Sequence, residues 1–224
     1  MTLAPQCWEW DSPLPKRGWA NAVSPDQPQV WQAHLPSSED RISFLTSLLS
    51  TDERQRLERF RLQDDRHRFL IGRGLLRILT GAQLGMAAGS IRFDYEPLGK
   101  PRLGNGFKDS PLYFNVSHSG KIVLLAFNQS HEVGVDVERE QPNLEWESIA
   151  RRSFSEREYR RLLAVPEEQR NSEFLRMWTR REAALKALGT GLMDDNRFES
   201  DGKTESYDLV LPNGYQGAAT LVLG

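Results

Sequence analysis

The order of predicted elements gives an α+β fold. Helical spacing fills residues 38–81 and returns over 144–188, short strand patterns occupy 91–138 and reappear over 206–223, and the two kinds do not alternate regularly. A doubly wound parallel sheet would need such alternation. Glycine and polar residues separate the strand runs by gaps that suit antiparallel hairpins. The 224 residues suffice for one large domain or two small ones.

The first 37 residues scatter Trp8, Trp10, Trp19 and Trp31 among six prolines, a tract expected to wrap along a folded surface, pinned by its indoles, with at most short strands. Ile42, Leu45, Leu48 and Leu49 recur at helical spacing from Ser38, and Ser50 with Glu53 offers a capping box for a second helix. A third helix is expected from Asp64 or Asp65 to about Thr80, stopped by Gly81. The strand patterns are IRFDY from Ile91, Leu112–Ser117, Lys121–Phe127 and Val133–Glu138, the last a strict alternation with valines on one face. Helices return over about 144–152, after Ser155 with its partner Glu158, and from about Glu168 to Leu188, where Gly189 is the expected stop. Strands near Ser206–Leu211 and Gly217–Leu223 complete the reading. The helix Arg66–Thr80 echoes Phe174–Leu188, which hints at two similar halves.

Composition removes several function classes. Lys and Arg number 29 against 31 Asp and Glu, too balanced for a dedicated nucleic-acid coat. The single cysteine, Cys7, cannot make an internal disulfide or a Cys-rich zinc site, which fits a reducing, cytoplasmic setting. No secretory leader is evident, and the longest apolar run, Ile122–Phe127, is far short of a membrane span. Gly72-Arg73-Gly74 lacks the third glycine of a dinucleotide fingerprint, and Gly202-Lys203-Thr204 has Arg197 where a phosphate loop needs glycine. Ser117 and His118, as strand neighbours, point to opposite faces and make a poor nucleophile–base pair. The four histidines have no metal-ligand spacing.

One constellation survives. Asp136 and Glu138 stand two apart on the alternating strand, so both carboxylates share a face opposite the valines. Adjacent carboxylates repel unless a divalent cation lies between them, although a solvent-facing pair on an amphipathic strand gives the same pattern. On the long helix Glu182 and Lys186 fall together along one border of the apolar stripe, either as a surface ion pair or as a carboxylate and an ammonium at the lip of a cleft. Oxygen ligands without Cys or His favour magnesium over zinc. Lys100 in Gly99-Lys100-Pro101, the donors of NVSHSG (115–120) and an arginine-rich wall add phosphate-binding groups. Eight arginines and no lysine lie between Thr51 and Thr80, a pattern a solvated helical face also produces.

FNVSHSG (114–120), GVDVE (134–138) and WTRREAALKALGTGL (178–192) resemble the three signature blocks of the Sfp-type 4′-phosphopantetheinyl transferases, in order and spacing, and GKP at 99–101 matches a smaller fourth. The resemblance covers roughly Ser50–Leu192. It implies two α+β halves related by a pseudo-two-fold, 1–131 and 132–224, with the active site in the cleft between them, in a monomer. It further implies transfer of the phosphopantetheine arm of coenzyme A to a serine of an apo acyl carrier protein or peptidyl carrier domain, releasing adenosine 3′,5′-bisphosphate.

Carried over by position, Asp136, Glu138 and Glu182 would be magnesium ligands, direct or through water, Glu182 also the base for the incoming hydroxyl, directly or through a bound water, and Lys186 the residue that steadies or protonates the departing phosphate. Lys100, Ser117, His118 and Arg56 would hold phosphates of the coenzyme. The chain departs from the family pattern at Arg181, where lysine is usual, and at Glu53, where some members carry a basic residue. A non-catalytic coenzyme A or carrier-protein binding module and a magnesium-dependent nucleotide phosphodiesterase are the competing classes.

Overall fold

A computed structural model describes residues 1–9, 17–19, 25–35, 38–107, 111–190 and 203–223. In chain order the elements are β1 (Thr2–Leu3), β2 (Gln6–Cys7), β3 (Gln29–His34), α1 (Glu39–Leu48), α2 (Thr51–Glu58), α3 (Gln63–Leu84), β4 (Phe93–Tyr95), β5 (Pro101–Leu103), β6 (Tyr113–Ser119), β7 (Ile122–Asn128), β8 (Val133–Arg139), α4 (Trp146–Ser153), α5 (Glu156–Leu163), α6 (Arg170–Leu188), β9 (Thr204–Leu209) and β10 (Tyr215–Val222). The expected α+β fold is the observed one.

Two four-stranded sheets share one pairing pattern. In the order β2-β3-β7-β6 the short edge strand pairs parallel and the other two pairings are antiparallel; β1-β9-β10-β8 repeats this. The chain's first strand therefore lies in the sheet otherwise built from its second half. The first sheet turns Ala33, Val123, Leu125 and Phe127 toward the apolar faces of α1 and α3, and Val30, Ile122, Leu124 and Ala126 toward Val133, Val135, Val137, Ala219 and Leu221 of the second. Both faces of β7 are thus covered, which is why its sequence reads as a continuous apolar run rather than an alternation. The valines of β8 face the other sheet, as their spacing predicts, and the opposite face carries Gly134, Asp136 and Glu138 toward α6.

Three of the four N-terminal indoles are pinned as expected, and Trp10 lies outside the described residues. Trp8, Trp19 and Trp31 meet edge to face, Trp19 packs 5.2 Å from Phe127 between centroids, and its indole N–H donates to the Leu79 carbonyl. Both expected capping boxes form, at Ser50–Glu53 and Ser155–Glu158. One helix end is corrected: α3 runs through Gly81 and stops at Gly85, whose φ of +68° is the left-handed cap. Gly81 serves close packing instead, since a Cβ there would lie 2.8 Å from the Met86 carbonyl oxygen.

Candidate functional site

The cleft is built where the edges of the two sheets meet. β6 and β8 belong to different sheets, and side chains rather than a backbone ladder join them. Asn115, Ser117 and Ser119 share one face of β6. The Asn115 Oδ1 accepts the Val135 N–H at 3.0 Å, the Ser117 hydroxyl donates to Asp136 Oδ1 at 2.9 Å, and the Ser119 hydroxyl donates to Glu138 Oε2 at 2.9 Å. Ser119 Oγ also accepts the Arg139 N–H at 3.1 Å. Half of NVSHSG is therefore spent on the neighbouring strand, and Ser117 faces Asp136 directly.

The helix α6 reaches this seam because of Gly134. Any Cβ there would come within 1.9 Å of the Ala183 carbonyl oxygen, so only glycine lets the helix backbone lie on β8. That approach brings Lys186 Nζ to 2.6 Å from Asp136 Oδ1 and 3.3 Å from Ser117 Oγ. Asp136 is 3% exposed. Its second oxygen, Oδ2, and Glu182 Oε1 are buried acceptors with no hydrogen-bond partner. Burial, and then the charge of Asp136, push the Glu138 and Glu182 carboxyls above the ordinary carboxylate value.

The three carboxylates share this region without closing on one point: among the described residues, no group of three His, Cys, Asp or Glu side chains converges as a metal cage. Lys186 is the nearest cation. When all are ionised, one ammonium against three carboxylates leaves two negative charges uncompensated. Two orphaned buried oxygens and a surplus of that size are what an oxygen-preferring divalent cation would satisfy, so the donor set fits magnesium.

The remaining expected residues are placed differently from one another. Lys100 is 8% exposed at its side chain, and Nζ donates to Glu132 Oε2 at 3.0 Å, the Lys186 carbonyl at 2.9 Å and the Val133 carbonyl at 3.3 Å. All three protons of its ammonium are thus used within the protein, tying the β4–β5 hairpin to β8 and the end of α6. A cavity of about 300 Å³ opens beside it, lined by Gly99, Lys100, Val116, Leu185, Glu182 and Lys186 among others. His118 points to the other face of β6, as alternation requires, with its solvent-accessible edge beyond the core-packed Phe114 and Val116 of that face. The surrounding protein, and then the nearby cation of Arg68, lower its pKa. Arg56 is exposed on α2, its guanidinium 5.4 Å above the Phe69 ring.

The arginine-rich wall is partly a core feature. Glu53, 1% exposed, bonds the Arg77 Nε at 2.7 Å and lies 3.4 Å from Arg73 Nε. Arg77 also donates to the Ala88 and Ile91 carbonyls, and Arg73 stands over Phe69, Phe93 and Tyr95. The donors of Arg77 are thus spent within the protein rather than offered to a phosphate, and the acidic residue at 53 is the counter-ion of both arginines. Arg181 is buried and lines a groove with Arg176 and Arg180 on the side of α6 away from Glu182. Sequence reasoning passed over Glu132, which anchors Lys100, and read Asn115 as a phosphate donor although its Oδ1 accepts the Val135 N–H inside β8. Neither carries a local signal, because each is defined by a partner outside its own element.

Two family models match this chain. Residues 31–130 match the family model "4′-phosphopantetheinyl transferase, N-terminal", and residues 132–213 match "4′-phosphopantetheinyl transferase superfamily". The 4′-phosphopantetheinyl transferase HetI of Nostoc is 42% identical over 75% of this chain and 70% of its own length. The 4′-phosphopantetheinyl transferase Sfp of Bacillus subtilis is 35% identical over 70% and 67%, and the 4′-phosphopantetheinyl transferase gsp of Aneurinibacillus migulanus is 32% identical over 82% and 80%. With both halves matched and relatives this similar over most of their length, the chain belongs to the 4′-phosphopantetheinyl transferase superfamily.

Proposed function

We propose that the seam of β6, β8 and α6 is the active centre through which this enzyme moves the 4′-phosphopantetheine arm of coenzyme A onto a serine of an apo carrier protein, with adenosine 3′,5′-bisphosphate leaving. The observation that carries this reading is the meeting of Lys186, Asp136 and Ser117, which brings all three signature blocks to one place. The units are residues 1–131 and 132–224, a boundary supported by the two family matches, which end and begin beside it. The monomer is the proposed working form, a reading that one chain supplying both sides of the cleft supports. Among the described residues no helix is long and apolar enough to cross a membrane.

Asp136, Glu138 and Glu182 would hold magnesium, which when bound supplies neutralising charge to the pyrophosphate. The reaction forms a bond from the serine oxygen to the phosphorus that carries the pantetheine arm and breaks the P–O–P bridge. Glu182 takes the serine proton. Burial, and then the charge of Asp136, raise its pKa above the ordinary carboxylate value, a direction that favours proton uptake. Lys186 turns its ammonium from Asp136 to the bridging oxygen and stabilises the departing phosphate. Asp136 accepts the Ser117 hydroxyl proton and stays in the seam. Phosphates of the coenzyme are assigned to Ser117, His118, Lys100 and Arg56, with Lys100 first releasing protein partners. The cavity beside Gly99 and Leu185 is where the coenzyme enters.

The test is intact-mass spectrometry of an apo acyl carrier protein incubated with the enzyme, coenzyme A and magnesium, beside an EDTA control. A gain of one phosphopantetheine, lost with EDTA, is the expected result. A gain that persists in EDTA would remove the metal from the reading, and no gain with acyl, polyketide or peptidyl carriers would overturn it.

A further inference from the structure

We infer that Ser119 is a positioning residue for Glu138, holding the second carboxylate of β8 toward the metal; this rests on the magnesium reading above. Ser119 Oγ touches residue 138 and residue 139 at once. It accepts the Arg139 N–H at 3.1 Å and donates its only proton to Glu138 Oε2 at 2.9 Å. A hydroxyl has one donor and two acceptor sites. With the backbone N–H fixed on one lone pair, the rotor is anchored and its proton is committed to the carboxylate. One oxygen of Glu138 is then bound from the first half of the chain, and the other remains for a ligand.

The need for such a grip follows from what else surrounds Glu138. It is half-buried, and Asp136 stands on the same strand face two residues away, so electrostatic repulsion drives the two carboxylates apart. Lys186 is bonded to Asp136 rather than to Glu138. Ser117 and Ser119 repeat one device at two-residue spacing, each hydroxyl meeting one carboxylate across the seam. Outer-shell hydrogen bonds of this kind change metal affinity by about 10- to 100-fold when removed.

The test uses full-length Ser119→Ala and Ser119→Thr. Manganese(II), which shares magnesium's preference for oxygen ligands, is titrated by electron paramagnetic resonance in the presence of coenzyme A, and each variant's melting temperature is recorded. Ser119→Ala is expected to weaken manganese binding at least about tenfold, while Ser119→Thr, which keeps the hydroxyl, stays within about threefold of the parent. Parental affinity in Ser119→Ala would overturn the inference. Equal losses in both variants would assign the effect to packing and overturn it as well. If Ser119→Ala melts well below the parent, Ser119→Cys replaces it, with an intermediate loss expected from its weaker donor and no loss refuting the role. Asp136→Asn is run alongside. Unchanged manganese binding there refutes the metal reading itself, whereas loss there with parental binding in Ser119→Ala refutes only the role of Ser119.

Discussion

Lys186 Nζ lies 2.6 Å from Asp136 Oδ1, joining a helix and a strand that touch only because residue 134 is glycine. The pair is asymmetric: the Asp136 side chain is 5% exposed and that of Lys186 is 32% exposed. The carboxylate is therefore fixed in the seam by Ser117, while the ammonium keeps access to the cleft and can exchange one anion for another. That division suits a site in which the acid stays in place and the lysine follows the charge of a substrate.

Asp136→Asn tests the fixed member. The amide keeps an oxygen for the Ser117 hydroxyl and nearly the same volume, so the fold should persist and the melting temperature should change by no more than a few degrees. Transfer of phosphopantetheine should fall by at least about 100-fold, because a charged partner is lost where charge develops. Initial rates by intact mass and a thermal melt decide it. Near-parental turnover would take Asp136 out of the active centre.

Glu182→Gln separates function from stability. A carboxyl whose pKa is raised in the folded state stabilises the fold fully only below its unfolded value, near 4.5, and that contribution is lost as pH rises through the folded value. In EDTA the variant should therefore melt above the parent at pH 8, with the difference shrinking toward pH 4, while transfer drops about 100-fold or more. Scanning calorimetry across that range gives the answer. A variant less stable than the parent at pH 8 would mean that the ionised carboxylate has a partner in the fold.

Glu53→Ala probes the arginine-rich helices. It would leave Arg77 and Arg73 as buried cations without their counter-ion, and removing one partner of a buried pair costs about 3–5 kcal/mol. Urea unfolding should show a loss of that order. A loss below about 1 kcal/mol, the range of exposed pairs, would return these arginines to the solvated surface.

What was legible in the sequence had its partners nearby or periodic. The valines of β8 alternate because one face always meets the same sheet, and the capping boxes at Ser50 and Ser155 close within one helical turn. Asp136 and Glu138 could be placed on one face by counting in twos. Hidden were the relationships that depend on which edges meet. The face of β6 carrying Asn115, Ser117 and Ser119 reads as a set of free donors until β8 is set beside it. Gly81 reads as a helix stop until the chain folds back and brings Met86 and Ala88 against it. Arg77 reads as a phosphate grip until its carboxylate, 24 residues earlier, is buried with it.

Lys100→Gln distinguishes a residue that only meets the coenzyme from one that also holds the cleft together. In the structure its ammonium is bonded to Glu132, to the Val133 carbonyl at the start of β8 and to the Lys186 carbonyl near the end of α6. A contact made only to the coenzyme would leave the stability of the protein alone unchanged when removed. Loss of a charge-assisted anchor to three acceptors should instead cost about 1.5–3 kcal/mol in urea unfolding without coenzyme A. The KM for coenzyme A should rise as well if the lysine is later handed to a phosphate. An unchanged unfolding midpoint with a raised KM would assign Lys100 to the coenzyme alone. A lowered midpoint with an unchanged KM would assign it to the junction of β8 and α6, where it steadies the pair that Lys186 and Asp136 form.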